Sequence, residues 1–218
     1  MEPKYKDCVF TNPQPLDPVE ECNSDNVCDS SVVISYQVDW DNIYSIHNWV
    51  EKLDLWCCPG WKLGMLGSVV FIGWVLTLPW IPRLSDMYSR KKFFIFGMVV
   101  DWLMFVAMFL TRSINWMIVI TFVFGLMTTF RVNIGFVYMM ELMPKSKQTF
   151  YATFYNIVDG SNLLTGTIYF WFISKDWIYF TMIGFVLQTF NVIAVWFLPE
   201  SPRLMIELKR FDEAEVAL

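Results

Sequence analysis

The chain has 218 residues, of which 56% are hydrophobic and 17% charged, and its formal net charge is −5. Soluble domains carry about a quarter charged residues, so this chain has too little charge to cover the one or two soluble domains that its length would allow. The composition also excludes a disordered chain and disfavours a nucleic-acid binder, because no basic patch dominates. An integral membrane protein, with the lipid bilayer as a partner, is the class that remains.

The first 60 residues are polar and acidic, with 11 acidic and 3 basic residues. Residues 11–30 are rich in Pro, Asn, Asp and Ser, which predicts a loop. Residues 40–56 mix acidic and aromatic groups. Four of their side chains have the spacing of one helix face at the membrane surface, where Trp is common: Trp49, Lys52, Leu53 and Trp56.

Five long apolar runs follow, at residues 61–82, 93–111, 113–140, 148–174 and 177–199. Each is close to the roughly 20 residues that cross the hydrocarbon core, and backbone groups in lipid must pair within the segment, which makes each run a helix. Five buried helices of a soluble core are disfavoured, because no amphipathic helices would cover them. We therefore predict an all-α membrane protein with an extracytoplasmic segment at 1–60, five transmembrane helices within 61–199 and a cytoplasmic segment at 200–218.

The basic residues of the short links predict the orientation. Most of them fall in the first link, the third link and the tail: Arg83, Arg90, Lys91, Lys92, Lys145, Lys147, Arg203, Lys209 and Arg210. The opposite side has only Arg112 and Lys175 in its two links. Because Lys and Arg collect on the cytoplasmic side, we expect the C-terminus to be cytoplasmic and residues 1–60 to be extracellular or lumenal. The plasma membrane is the expected location.

All five cysteines lie in residues 1–60: Cys8, Cys22, Cys28, Cys57 and Cys58. Disulfides persist on the non-cytoplasmic side, so two bridges with one cysteine left over are expected, and their pairing stays open. Free thiols are the alternative. A zinc site is disfavoured, because there is no Cys-x-x-Cys pair and only one histidine, His47, so we expect no metal. We also expect no cofactor and no enzymatic activity, because neither a His-based triad within the membrane nor a phosphate-binding glycine loop is present.

Three motifs resemble those of the major facilitator superfamily. Residues 82–92 are similar to its signature loop Gly-x-Leu-x-Asp-Arg-x-Gly-Arg-Lys; the matching residues are Leu84, Asp86, Arg90 and Lys91, and the departures are Pro82, Met87 and Ser89. Tyr138-x-x-Glu141-x-x-Pro144 resembles the end of the fourth helix in the sugar and organic-ion branches. Pro199-Glu200-Ser201-Pro202-Arg203 matches the motif after the sixth helix of the same branches. The long Cys-bearing segment is similar to the first outer loop of the organic cation and anion transporters.

The resemblance implies that the five spans correspond to helices two to six of twelve. It implies secondary or facilitative transport of small organic solutes, such as organic ions or sugars, by rocking of two halves around a midplane site. A chain with less than one half is expected to be inactive alone, and a second membrane subunit would supply the missing helices. A helix upstream is also expected, because a 60-residue polar segment without a signal peptide does not cross a membrane unaided. The alternative is a non-transporting structural subunit derived from a transporter.

The motif charges at the predicted cytoplasmic helix ends form a candidate gating network: Asp86, Arg90, Glu141, Glu200 and Arg203. Asp86 is expected to accept hydrogen bonds from a helix N-terminus, or to be unpaired if its partners belong to the missing half. The arginines and glutamates are expected to form interhelical ion pairs. Arg83, Lys91 and Lys92 are explained by orientation alone.

Three charges lie inside the predicted spans, where each costs at least ~2.5 kcal/mol: Asp101, Arg131 and Asp159. One cation and two anions predict that Arg131 pairs with at least one aspartate, either as a structural pair or for substrate or proton handling. Arg131-x-x-x-Gly135 is similar to a fourth-helix motif of the family, but its spacing from Tyr138 is wrong, so no role is carried over.

The fourth run also has a polar stripe on one helix face, formed by Tyr155, Asp159, Asn162 and Gly166. This face either joins helices or lines a cavity for a polar or cationic solute. Gln188 and Asn191 on the fifth run are weaker candidates for the same roles.

Overall fold

The computed structural model describes the backbone of residues 5–10 and 33–38, and residues 45–53 and 55–200 in full. The chain divides into two compact units. The first comprises residues 1–60 with 164–181, and the second comprises residues 61–163 with 182–218.

The first unit contains a two-stranded antiparallel sheet that the sequence analysis missed. Strand β1, Tyr5–Phe10, pairs with β2, Val33–Val38, and the register is irregular between Lys6 and Val9. Both strands are six-residue runs that contain β-branched and aromatic residues, the types that favour strands. The predicted loop at 11–30 lies outside the described residues. The all-α description therefore holds for the described parts of the chain outside these two strands.

The predicted helix face near residue 50 is only partly correct. Helix α1, Trp49–Lys52, is a single turn, and the Asn48 side chain accepts a hydrogen bond from the Val50 N–H at 2.9 Å. Trp56 lies outside it, in a turn. Leu53 and Leu55 are both buried. In a continuing helix, residues two apart point in different directions and would not both lie on one buried face.

Two side chains of α1 contact the start of a later helix within the same unit. The Trp49 and Trp177 rings lie 4.2 Å apart, and the Lys52 ammonium lies 5.5 Å from the centre of the Trp177 ring. Of the two adjacent cysteines, Cys57 is disulfide-bonded and Cys58 is a free thiol. Cys22 and Cys28 lie outside the described residues, as does the side chain of Cys8.

The described residues from 60 to 200 are mainly helical. In order, the helices are α2, Gly60–Thr77; α3, Ile81–Met87; α4, Arg90–Leu110; α5, Ile114–Thr128; α6, Gly135–Leu142; α7, Gln148–Ile168; and α8, Trp177–Trp196. A π-helical turn, Thr129–Ile134, joins α5 to α6, another, Tyr169–Ile173, extends α7, and a 3₁₀ turn, Lys145–Lys147, precedes α7.

Four of these helices are long and apolar enough to cross a membrane: α2, α4, α5 with α6 (Ile114–Leu142), and α8. Four of the five predicted runs thus form helices that meet this requirement within the described residues. Helix α7 forms where the fourth run was predicted and has 21 residues, but polar residues such as Asn156, Asp159 and Asn162 make it less apolar. None of its residues is buried.

The first predicted span, 61–82, is also shorter than expected. Helix α2 ends at Thr77, and α3 begins at Ile81 after a turn that contains Pro79. Proline lacks an N–H and its ring clashes with the carbonyl one turn earlier, so Pro79 ends α2. Pro82, by contrast, is in the first turn of α3, where no N–H is required.

Within the second unit, α2 and α5 pack closely through small residues. A Cβ placed on Gly73 would lie 2.6 Å from the Phe122 carbonyl oxygen, and one on Gly125 would meet the Val70 carbonyl. Small residues allow this close backbone approach, which membrane helices use in place of a hydrophobic driving force. Near the end of α2, the hydroxyls of Thr77 and Thr129 are 2.6 Å apart.

Helices α4 and α8 pack through aromatic side chains. The Phe185 ring stacks on Trp102 at 5.5 Å and on Phe105 at 6.0 Å. The Trp102 indole N–H also donates to the Thr189 hydroxyl at 2.9 Å. This hydrogen bond between helices adds specificity to the packing, because lipid hydrocarbon offers the indole N–H no other acceptor.

Candidate functional site

Arg90 lies at the junction of three helices. It is the first residue of α4, one residue after the cap Ser89. Its guanidinium donates to one Asp86 carboxylate oxygen, 3.0 Å from Nε and 2.9 Å from the terminal nitrogen. Its other terminal nitrogen forms an ion pair with Glu141 of α6. A single arginine thereby joins α3, α4 and α6.

The environments of the two carboxylates differ. The Glu141 side chain is 8% exposed and Arg90 12%, whereas Asp86 is 57% exposed. Asp86 was expected to cap a helix or to be unpaired; it instead pairs with Arg90 across the turn between α3 and α4. The buried Arg90–Glu141 pair is the interhelical contact, and Asp86 adds a solvent-facing partner.

Glu200 takes the role that was expected of Asp86. Its carboxylate accepts from the Ser89 hydroxyl at 2.7 Å and from the Lys91 N–H at 3.2 Å, at the N-terminus of α4. Negative charge is favoured there, because the first backbone N–H groups of a helix have no partner within it. Arg203 lies outside the described residues.

The end of α8 is attached to the same helix junction by further bonds. The Lys91 ammonium donates to the carbonyls of Trp196, at 3.2 Å, and Leu198. The Tyr138 hydroxyl donates to the Pro199 carbonyl. Lys91, attributed above to orientation alone, therefore also satisfies carbonyls at a helix C-terminus, where a cation is favoured. We call Asp86, Arg90, Glu141 and Glu200 the helix-end cluster.

A second group of polar side chains lies within the spans. Arg131, in the π-helical turn, places its Nε 3.4 Å from an Asp101 carboxylate oxygen of α4. The Gln188 amide of α8 lies 3.5 Å from the same oxygen. The Asp101 side chain is only 5% exposed, so removal of Arg131 would leave a buried charge. We call Asp101, Arg131 and Gln188 the intramembrane cluster.

The polar stripe of α7 is separate from this ion pair. Asp159 and Asn162 are exposed and Tyr155 is half-buried. Among the described residues, no cation lies within ion-pair distance of Asp159. The Tyr155 ring packs 5.3 Å from that of Phe136 on α6, and Tyr155 lies within electrostatic range of both Asp159 and Arg131.

Residues 26–218 match the family described as "Sugar (and other) transporter". The chain belongs to this family. It is a partial major facilitator superfamily transporter chain that resembles the organic cation and sugar branches. The match covers the helix-end cluster, the intramembrane cluster and the α7 stripe.

Two curated relatives of this family member are named as a solute carrier and a transporter. The chain is 29% identical over 209 residues to Solute carrier family 22 member 4 of Mus musculus, covering 92% of this chain and 36% of that protein. It is 29% identical over 175 residues to Organic cation/carnitine transporter 2 of Homo sapiens, covering 78% of this chain and 30% of that protein. The chain thus spans about a third of the length of the relatives that it matches.

Two features of this family member were undervalued from the sequence. Ser89 was counted as a departure from the signature loop, but its hydroxyl accepts from the Lys92 N–H at 3.2 Å and donates to Glu200. The serine just before an apolar run is itself an N-cap signal. Gln188 was ranked as a weak candidate, and its position beside Asp101 could not be found from spacing along one helix.

Proposed function

We propose that this chain forms part of a membrane transporter that moves small organic solutes by a secondary or facilitative alternating-access mechanism. The remainder of the transporter would come from further chain or from a second membrane subunit. The observation that carries the proposal is the bridging position of Arg90, which joins Asp86 and Glu141 on two other helices. Such a buried pair holds helices in one arrangement and costs free energy to break, which a gate requires.

The helix-end cluster is proposed to lie on the cytoplasmic side, with residues 1–60 outside. Two observations support this orientation. Most basic residues lie in the links and tail that contain the helix-end cluster, and Lys and Arg collect on the cytoplasmic side. Cys57 is disulfide-bonded, and disulfides persist outside the cytoplasm. The plasma membrane is the proposed location.

The names of the relatives suggest the probes. We propose that the solutes belong to the organic-cation and carnitine class that the name of the Homo sapiens relative gives. The test is uptake of radiolabelled tetraethylammonium and L-carnitine by cells that express the full-length protein. The Arg90→Gln variant should lower uptake at least about tenfold, equivalent to ~1.4 kcal/mol, at equal surface expression.

Arg83→Gln is the matched control, because Arg83 is an exposed basic residue of the same link and no ion pair of it is found in the described part of the chain. Its uptake should equal that of the wild type. Absence of uptake of either probe by well-expressed wild-type protein would refute the proposal and favour the non-transporting structural subunit.

A further inference from the structure

The membrane helix Ile114–Leu142 is interrupted by a π-helical turn, Thr129–Ile134, between α5 and α6. In a π turn each N–H bonds to the carbonyl five residues earlier instead of four, so the turn holds about one residue more than an α-helical turn. Such turns are rare and frequently lie at functional sites. Relative to a continuous α-helix, α6 is therefore rotated against α5 by about one residue, or ~100° around the helix axis.

Contacts before the turn fix the rotation of α5. A Cβ added to Gly125 would overlap the Val70 carbonyl of α2, so the two backbones meet directly. Thr129, the first residue of the turn, is buried, and its hydroxyl lies 2.6 Å from that of Thr77 on α2. Helices that approach this closely through small residues leave no room for either to rotate.

Contacts after the turn fix the rotation of α6 independently. Tyr138 is buried and its hydroxyl donates to the Pro199 carbonyl. One turn later, Glu141 forms its ion pair with Arg90 of α4. A rotation of ~100° would move Tyr138 and Glu141 away from both partners. The π-helical turn thus absorbs the difference between two rotations that are fixed by separate contacts.

Arg131 is the charged residue of the turn, and its contact with α4 is incompletely satisfied. Its Nε lies 3.4 Å from one Asp101 carboxylate oxygen, and within the described residues neither this Nε nor the other Asp101 oxygen makes a hydrogen bond. The Phe124 ring of α5 adds a cation–π contact at 5.8 Å. This pair can separate by a side-chain movement, whereas the contacts that fix α5 separate only if a helix moves.

We propose that the π-helical turn is a register switch held by the Asp101–Arg131 pair. When the pair is lost, the turn converts to an α-helical turn and α6 rotates, which separates Tyr138 and Glu141 from their partners. Arg131 is then a positioning residue for the helix-end cluster, although Glu141 lies ten positions, or ~15 Å, further along the helix. Its meaning for gating rests on the proposed function, but the rotation itself does not require transport.

The experiment is hydrogen–deuterium exchange on purified full-length protein in detergent, comparing wild type with Asp101→Asn. We expect the amides of residues 136–142 to exchange at least about tenfold faster in the variant, because α6 loses the contacts that fix it. The amides of residues 114–125 should keep wild-type rates, because α5 stays packed on α2. A merely structural role of the pair would raise exchange on both sides of the turn. Arg131→Gln is the second variant and should give the same pattern.

Deletion of Val132 tests the register directly. It removes the residue that a π turn holds in excess, so a continuous α-helix would join α5 and α6 with the contacts of both intact. The deletion variant should fold, and Asp101→Asn should no longer speed the exchange of α6 in this background. Asp159→Asn is the matched control, because no cation lies within ion-pair distance of Asp159 in the described part of the chain; its α6 should exchange as in wild type.

Wild-type exchange of α6 in Asp101→Asn, or an equal rise in α5 and α6, would overturn the inference. So would a Val132 deletion that does not fold, or one that leaves the exchange of α6 fast in the Asp101→Asn background. Exchange as expected, together with no uptake of either probe in cells, would uphold the register switch and refute the proposed transport function instead.

Discussion

The Glu200 carboxylate accepts a hydrogen bond from the backbone N–H of Lys91 at 3.2 Å, although the two residues are 109 positions apart. The Lys91 ammonium in turn donates to carbonyls at the end of α8. The start of α4 and the end of α8 therefore supply each other's hydrogen-bond partners. The Glu200 carboxylate accepts from N–H groups at the start of α4, and the Lys91 ammonium donates to carbonyls at the end of α8. This contact fixes where the chain leaves the last membrane helix of the described part.

Glu200→Gln should lower the free energy of unfolding by about 1 kcal/mol, because it removes the negative charge from the N-terminus of α4. Thermal unfolding of the purified protein measures the change. Glu51→Gln is the comparison, since it removes an exposed carboxylate whose local pair with His47 is worth no more than ~0.5 kcal/mol. Equal melting temperatures for wild type and Glu200→Gln would contradict the capping role.

Arg90→Met should destabilise the protein by about 3 kcal/mol, because Glu141 would remain as a buried carboxylate without this cation. The double variant Arg90→Met with Glu141→Leu should recover much of that loss. Asp86→Asn should cost less than ~1 kcal/mol, because Asp86 is 57% exposed and solvent screens its pair. Unfolding by denaturant measures all four proteins. A larger loss for Asp86→Asn than for Arg90→Met would reverse our ranking of the two contacts.

Arg131→Leu should lower the yield of monodisperse protein in detergent, because Asp101 would be left buried beside an apolar residue. Adding Asp101→Asn should partly restore the yield, whereas adding Asp159→Asn should not. This difference follows from the 3.4 Å approach of Arg131 to Asp101. Size-exclusion chromatography provides the measurement. Rescue by Asp159→Asn alone would mean that Arg131 pairs with α7 instead.

Gly73→Ala should destabilise the protein by roughly 1–3 kcal/mol, as overpacking does. The added methyl would lie 2.6 Å from the Phe122 carbonyl and 2.9 Å from the Leu126 nitrogen, both backbone atoms that move only with their helix. Gly64→Ala in the same helix is the matched control, because nothing lies within 4 Å of its added methyl, and it should be neutral or stabilising by ~0.5–1 kcal/mol. Comparing the melting temperatures of the two variants separates the effect of the added methyl on packing from its effect on helix propensity. A Gly73→Ala variant as stable as the wild type would disprove the close contact.

The positions of the membrane helices could be predicted because each depends on a local run of apolar residues. The errors arose where another local rule intervened. Pro79 ended α2 early, and the polar residues of α7 made that helix less apolar than the others. The missed strands β1 and β2 are short and are separated by more than 20 residues of sequence, so no local periodicity predicts their pairing.

The contacts of the candidate sites divide in the same way. Arg90 and Glu141 were expected in one cluster from their motifs, and Arg131 was expected to pair with an aspartate from charge balance. Which aspartate it meets was open, because Asp101 and Asp159 lie on different helices and spacing along one helix says nothing about its neighbours. That Glu200 rather than Asp86 accepts hydrogen bonds at the N-terminus of α4 could likewise not be predicted from spacing along one helix.

The sequence by itself determined a multi-pass helical membrane protein of a transporter family, because hydrophobicity, helix breakers and short motifs act within a few turns of chain. Only the tertiary structure decided that Asp101 holds Arg131, that Glu200 rather than Asp86 caps α4, and that α2 and α5 meet at Gly73 and Gly125. These contacts join residues on different helices, and their geometry depends on how the helices pack.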